Sequence, residues 1–164
     1  MTMNVPGMRT RETPVDEARV LRLRRTFQAR RERVFRAFTD PARLAGWWGP
    51  KGMSAPVCEL DLRPGGRWLT TMRAEDGSEF TVSGVYREID PPSRLVFTWA
   101  WRQDDGSRGH ETLVTLEFLD RGEASELVLT QEDFRDEDAR GKHAGGWASA
   151  LDCLEEALAM DAAA

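Results

Sequence analysis

The stretch DEDARGKHAGGWASALDCLEEALAM, residues 136–160, decides how the rest of the chain must be arranged. Trp147, Leu151, Leu154 and Leu158 recur at helical spacing, and Ala144, Ala150 and Ala157 widen the same stripe. Ser149, Asp152, Glu155 and Glu156 fall on the opposite side. The spacing therefore predicts an amphipathic helix over Asp136 to Met160 with one broad apolar face. Asp136, Glu137 and Asp138 at its start suit the positive end of a helix. Two features are costly for a helix whose only task is to pack. Gly145 and Gly146 are adjacent in mid-helix, where each costs about 1 kcal/mol relative to alanine. His143, one turn before Trp147, sets a titratable ring beside the apolar stripe. The glycine pair has two readings: it keeps side chains out of a space, or it lets the backbone approach a neighbour.

Before this helix the apolar residues alternate instead. Leu127, Leu129 and Gln131 share the inner face of a last strand, and Thr112, Val114, Leu116 and Phe118 that of the strand before it. Leu95, Phe97, Trp99 and Trp101 make the most aromatic strand face, bounded by Asp90-Pro91-Pro92 and Asp104-Asp105-Gly106. Phe80, Val82, Gly84 and Tyr86 alternate, with a bulge expected at Gly84. Trp68, Thr70 and Met72 alternate ahead of a hairpin turn at Asp76-Gly77. Val57 to Leu62 is a strand that ends at Arg63-Pro64-Gly65-Gly66.

Nearer the N-terminus, Val20, Leu21, Leu23 and Phe27 predict a first strand, with Leu21, Leu23 and Phe27 inward. Arg31 to Thr39 reads as a short helix, and Asp40-Pro41 starts another, Asp40 as its N-cap. Gly46-Trp47-Trp48-Gly49-Pro50 is a loop with too much apolar surface to stand free. The order is strand, two short helices, about six antiparallel strands and one long helix. The class is α+β, a curved antiparallel sheet of about six or seven strands wrapped around the C-terminal helix.

Composition narrows the function. The 164 residues predict a flexible arm over 1–17, where Pro6, Gly7 and Pro14 sit among charges without period, and one domain over 18–164. Met3 and Met8 leave the translation start open. A net charge of −5 argues against nucleic acid, and Arg22, Arg24, Arg25, Arg30, Arg31, Arg33 and Arg36 read as solvated surface. No apolar window is long enough to insert in a membrane, and no signal-like segment opens the chain, so a cytoplasmic location is expected. Cys58 and Cys153 match no metal or redox spacing and read as two buried, reduced thiols. Glu59 and Asp61 share a strand face, as paired carboxylates or, on the alternation, as its solvated side. His110 is expected to be exposed. With no nucleophile elbow, phosphate loop or metal cluster, no catalytic set, metal or cofactor is assigned.

A succession of motifs carries a family resemblance. Val34-Phe35-Arg36-Ala37-Phe38-Thr39-Asp40-Pro41 is followed by Trp47-Trp48-Gly49-Pro50, then by Asp61-Leu62-Arg63-Pro64-Gly65-Gly66-Arg67-Trp68. Asp90-Pro91-Pro92-Ser93-Arg94-Leu95-Val96-Phe97-Thr98-Trp99 and His143 with Gly146-Trp147 and Leu151 complete the series. In order and spacing the chain resembles the START-related (SRPBCC, Bet-v-like) superfamily, in its branch named for the activator of heat-shock-protein ATPase homologue. That resemblance implies a helix-grip fold with a cavity between sheet and helix, which in many relatives holds a small apolar ligand.

The ligand-binding candidates are Trp47, Trp48, Trp68, Met72, Tyr86, Phe97, Trp99, His143, Trp147 and Leu151. Trp47 and Trp48 are expected at the entrance, and Tyr86, Trp99, His143 and Trp147 in the interior. For each of these, and for Trp101, filling the core is the competing reading. The expected partner is a small apolar molecule, lipid-like or aromatic, and a homodimer is left open. A cavity enzyme of the cyclase or hydrolase kind, with His143, Tyr86 or a buried carboxylate as acid–base group, is the alternative. A module that stimulates a chaperone ATPase is a third, and the least expected.

Overall fold

The computed structural model describes residues 17–163, with side chains described as far as Met160. The arm expected over residues 1–17 lies outside the described residues but for Glu17. After a short 3-10 turn, Glu17–Arg19, come β1 (Leu21–Phe27), α1 (Arg31–Thr39) and α2 (Pro41–Ala45). Six strands follow: β2 (Ser54–Leu60), β3 (Arg67–Arg73), β4 (Glu79–Asp90), β5 (Arg94–Trp101), β6 (Thr112–Arg121) and β7 (Ala124–Glu132). The chain ends in α3 (Glu137–Ala163). All seven strands pair antiparallel in one sheet, ordered β1-β7-β6-β5-β4-β3-β2. This is the helix-grip arrangement. Only the first strand leaves sequence order, crossing by way of α1 and α2 to the far edge.

The inner face follows the alternation. Val114, Leu116 and Phe118 on β6, with Leu127, Leu129 and Gln131 on β7, are each no more than 1% exposed. α1 turns Val34, Phe35, Ala37 and Phe38 inward. Phe35 and Phe38 meet Phe118 edge-on, with ring centroids 5.2 and 5.8 Å apart. Asp40 caps α2 by accepting from the Ala42 N–H at 3.1 Å, with Pro41 at the first helical position.

Gly84 does not form the expected bulge, since the register of β4 against β5 shifts between Tyr86 and Glu88. The glycine is instead a point of close approach. A Cβ there would lie 1.8 Å from the Thr98 carbonyl oxygen and 2.7 Å from Trp68 Nε1. That carbonyl accepts the Trp68 indole N–H at 3.1 Å, while the Val85 N–H goes to Thr98 Oγ1 at 2.8 Å. The β4–β5 ladder gives up a backbone bond here and seats an indole.

The arginines of β1 and α1 are only partly the solvated surface that was expected. Arg25 pairs with Asp152 at 2.9 Å and Glu155 at 3.3 Å, and Arg33 donates to the Leu158 carbonyl at 2.9 Å. Both tie the second half of α3 to the N-terminal elements. Cys58 and Cys153 are reduced but half-buried, not buried. Burial, reinforced by Asp40, pushes the Cys58 thiol up to about 11. Glu59, Asp61 and His110 are exposed, as expected from the alternation and the strand start.

Candidate functional site

The two halves of α3 have different surroundings. Leu151, Leu154 and Leu158 are buried in the core cluster. One to three turns earlier, Ala139, His143, Gly146, Trp147 and Ala150 border a cavity of about 590 Å³ that opens to solvent. Met72 on β3, Phe80 on β4, and Trp99 and Trp101 on β5 form the opposite wall. Trp48, Gly49, Pro50 and Met53, from the loop after α2, close a third side. That loop is fixed to the helix, since the Lys51 N–H donates to Ser149 Oγ at 2.8 Å.

Most of the indoles are held by hydrogen bonds as well as by contact. Trp48 Nε1 donates to Thr70 Oγ1 at 2.9 Å. Trp147 Nε1 donates to Gln131 Oε1 at 2.7 Å, and Gln131 in turn donates to Thr112 Oγ1 at 2.8 Å. Gln131, fully buried in a strand, is thus the acceptor that orients the helix indole. Trp99 sits at the centre, its ring centroid 5.3 Å from Trp147, 5.5 Å from Trp101, 5.6 Å from Trp68 and 5.9 Å from Trp48. Gly49, at φ +98°, makes room for the wall: a Cβ there would stand 2.9 Å from Met72 Sδ.

His143 has a defined protonation state. Its Nδ1 lies 2.8 Å from the Ala139 carbonyl, which only accepts, and its Nε2 lies 2.9 Å from the Trp101 indole N–H, which only donates. The ring is therefore the neutral tautomer with its proton on Nδ1. Burial lowers its pKa, against the opposing pull of the Ala139 bond. Neither a free lone pair nor a free N–H remains to serve a substrate. Burial likewise raises the Tyr86 phenol above its ordinary range, which leaves it protonated near neutrality.

The charged residues of the lining are exposed and form a rim. Lys142 pairs with Asp138 at 3.3 Å and Arg135 lies 3.9 Å from Asp136. Asp136 also accepts from the Ala139 N–H at 2.8 Å, capping α3. Among the described residues no group of His, Cys, Asp or Glu has the arrangement of a metal site.

Of the residues singled out in the sequence, the cavity brings together Trp48, Met72, Trp99, His143 and Trp147. Trp68, Tyr86 and Phe97 lie behind Trp48 and border only a crevice of about 20 Å³. Trp47 and Leu151 line neither space. Trp47 is not at an entrance: it is 4% exposed, meets Phe38 edge-on at 4.8 Å and donates to the Ala37 carbonyl at 3.1 Å. Trp47 packs at the end of α1 while Trp48, edge-on to it with ring centroids 5.4 Å apart, enters the wall. Leu151 is 1% exposed in the core.

The other lining residues had a signal, Gly146 as half of the glycine pair and Trp101 as part of the aromatic strand face. Ala139, Gly146 and Ala150 follow from helical spacing around His143 and Trp147, and Phe80 and Trp101 from strand alternation with Val82 and Trp99. Pro50, Met53 and the rim charges carried none, because a loop and a helix start reach the site only through the fold.

A family model described as activator of Hsp90 ATPase homolog 1-like protein matches residues 28–159. No curated protein matches the chain. The crystal structure of the AHSA1 protein from Silicibacter pomeroyi is similar, at 34% identity and a TM-score of 0.79 over 87% of this chain and 99% of that one. A protein of Chromobacterium violaceum is 30% identical with a TM-score of 0.76, over 84% of this chain and 95% of its own. One from Nitrosomonas europaea is 25% identical with a TM-score of 0.77, over 92% and 100%. With four-fifths of its length inside the family model and the helix-grip fold in place, this chain belongs to the activator of Hsp90 ATPase homolog 1-like family of the START-related superfamily.

Proposed function

We propose that the chain binds a small, largely apolar molecule in the cavity between β3–β5 and the first half of α3. The observation that carries this reading is the cavity itself: about 590 Å³, walled by Trp48, Trp99, Trp101, Trp147, Met53 and Met72. That size and chemistry suit a small-molecule site. Gly146 supports the reading, since a Cβ there would meet nothing within 4 Å. The same holds at Gly141 and Gly145, which are exposed and outside the lining, so of the glycine pair only Gly146 borders the space. Binding proceeds by desolvation of the ligand against preformed aromatic walls.

No observation favours acid–base chemistry by His143, whose ring nitrogens are both engaged. Nor does one favour a chaperone surface: the exposed large apolar side chains among the described residues are Leu62, Phe80 and Met160, on separate elements, and Phe80 borders the cavity.

The test is native mass spectrometry of gently purified protein, joined to melting curves with uncharged aromatic and lipid-like compounds. One ligand per chain is expected. A compound present at about 100 times its Kd contributes about 2.7 kcal/mol, or on the order of 5–10 °C in melting temperature for a chain of this size. A protein that carries no small molecule and shifts with no compound overturns the proposal.

A further inference from the structure

We infer that the ligand is amphipathic: its apolar body lies in the tryptophan-lined chamber, and an anionic head of the carboxylate kind lies at the rim beside Lys142 and Arg135. This rests on the binding reading above and specifies its chemistry.

The cavity lining is segregated by chemistry. Its four charged side chains, Arg135, Asp136, Asp138 and Lys142, all come from the start of α3 and the two residues before it. The loop after α2 and strands β3–β5 supply tryptophan, methionine, phenylalanine, proline and glycine, and no charged side chain. Polar groups within the chamber are engaged or covered. His143 has both ring nitrogens bonded, Trp48 and Trp147 donate to Thr70 and Gln131, and the buried Trp99 Nε1 is closed off from solvent. A ligand that is apolar throughout leaves the charged end of the cavity with nothing to bind. One with a single ionised end matches both parts. Its body is desolvated among the rings, while its head stays in water at the rim and escapes the cost of burying a charge.

The sign of the head follows from how the four charges are held. Asp136 is committed to the helix, accepting the Ala139 N–H at 2.8 Å. Asp138 stands in the first turn of α3, where the helix dipole favours a carboxylate with or without a partner. Lys142 and Arg135 are longer side chains, 76% and 72% exposed, paired across 3.3 and 3.9 Å with those same two acids. Exposed pairs of that kind contribute little. An anionic head therefore recruits two cations that give up next to nothing. A cationic head must draw Asp136 from its cap or compete with Lys142 for Asp138.

The test uses three naphthalenes of one shape: naphthylacetate, naphthylethanol and naphthylethylammonium. They are titrated near neutral pH against wild type and the double variant Lys142→Gln, Arg135→Gln. Wild type is expected to bind the carboxylate more tightly than the ammonium. In the rim variant the affinity ratio of carboxylate to alcohol is expected to fall about fivefold, and added salt should erode that ratio in wild type far more than in the variant. Arg22→Gln with Arg24→Gln, on the edge strand β1, removes the same charge and is expected to leave the ratio alone. An unchanged ratio in the rim variant, an equal fall in the β1 variant, or the ammonium as the better ligand of wild type overturns the head assignment and leaves the binding reading intact. If none of the three binds, the molecule that co-purifies with the protein decides, and one without an acidic group overturns the assignment. No binding and no co-purified molecule removes both readings.

Discussion

The two halves of α3 present the same kind of stripe to the same sheet and meet opposite fates. Leu151, Leu154 and Leu158 are driven into the core and leave no space. Ala139, His143, Gly146 and Ala150, on the same face about one to four turns before Leu154, border open volume. The second half is also lashed down, by Arg25 to Asp152 and Glu155 and by Arg33 to the Leu158 carbonyl. The first half is held off instead, by large side chains with fixed orientations: Trp147 by Gln131, Trp101 by His143 and Trp48 by Thr70. A cavity survives in a folded protein when its walls cannot relax into it. Hydrogen-bonded indoles, braced ring against ring, meet that condition, and flexible aliphatic side chains do not.

Leu154→Ala, in the packed half, is expected to cost about 2–5 kcal/mol of stability by chemical denaturation, with ligand affinity of the folded protein unchanged. Loss of affinity in step with stability would mean that the halves are not separable.

Gly146→Leu, in the open half, should act the other way. Ligand affinity falls on the order of tenfold or more as the side chain fills the site, while the melting temperature without ligand holds or rises. Calorimetric titration beside a melting curve checks both, and a destabilised Gly146→Leu would show that the space is not free. The smaller change Gly146→Ala is expected to stabilise the unliganded protein by about 1 kcal/mol, because the added methyl group has no neighbour to strike. No gain would point to a packing role for the glycine.

The weakest expected effect is that of pH on His143. Its folded pKa lies below the ordinary 6.5, so the unfolded chain binds more protons in the window between the two values. Stability is unaffected by this group above that window and declines as pH falls through it. Protonation also turns Nε2 into a donor and breaks the bond from Trp101. Melting temperatures from about pH 7 to about pH 5 should therefore drop more steeply for wild type than for His143→Gln. Parallel curves would mean that the histidine is not held neutral.

Much of this was legible in the residues. The alternation of Val114, Leu116 and Phe118, and of Trp68, Thr70 and Met72, fixes which strand faces turn inward, because a strand's side chains alternate by geometry. Breakers at Asp76-Gly77 and Asp104-Asp105-Gly106 set the hairpins between β3 and β4 and between β5 and β6. The site was legible in outline: Trp48, Met72, Trp99, His143 and Trp147 were marked and do meet. Trp47, Trp68, Tyr86, Phe97 and Leu151 were marked with them and lie elsewhere. An inward face looks the same in sequence whether it ends against another side chain or against space.

Local chemistry, then, settles what each segment becomes. The amphipathic α3, the strands and the Asp40 cap all follow from spacing and intrinsic preference, which act over a few residues. Where α3 stands off from the sheet is a different kind of fact. It depends on Gln131 meeting Trp147, on Trp101 meeting His143, and on Gly49 clearing Met72, each a contact between distant parts of the chain. Only the tertiary structure brings those partners together, and only it shows that among so many indoles one, Trp99, has been left without an acceptor.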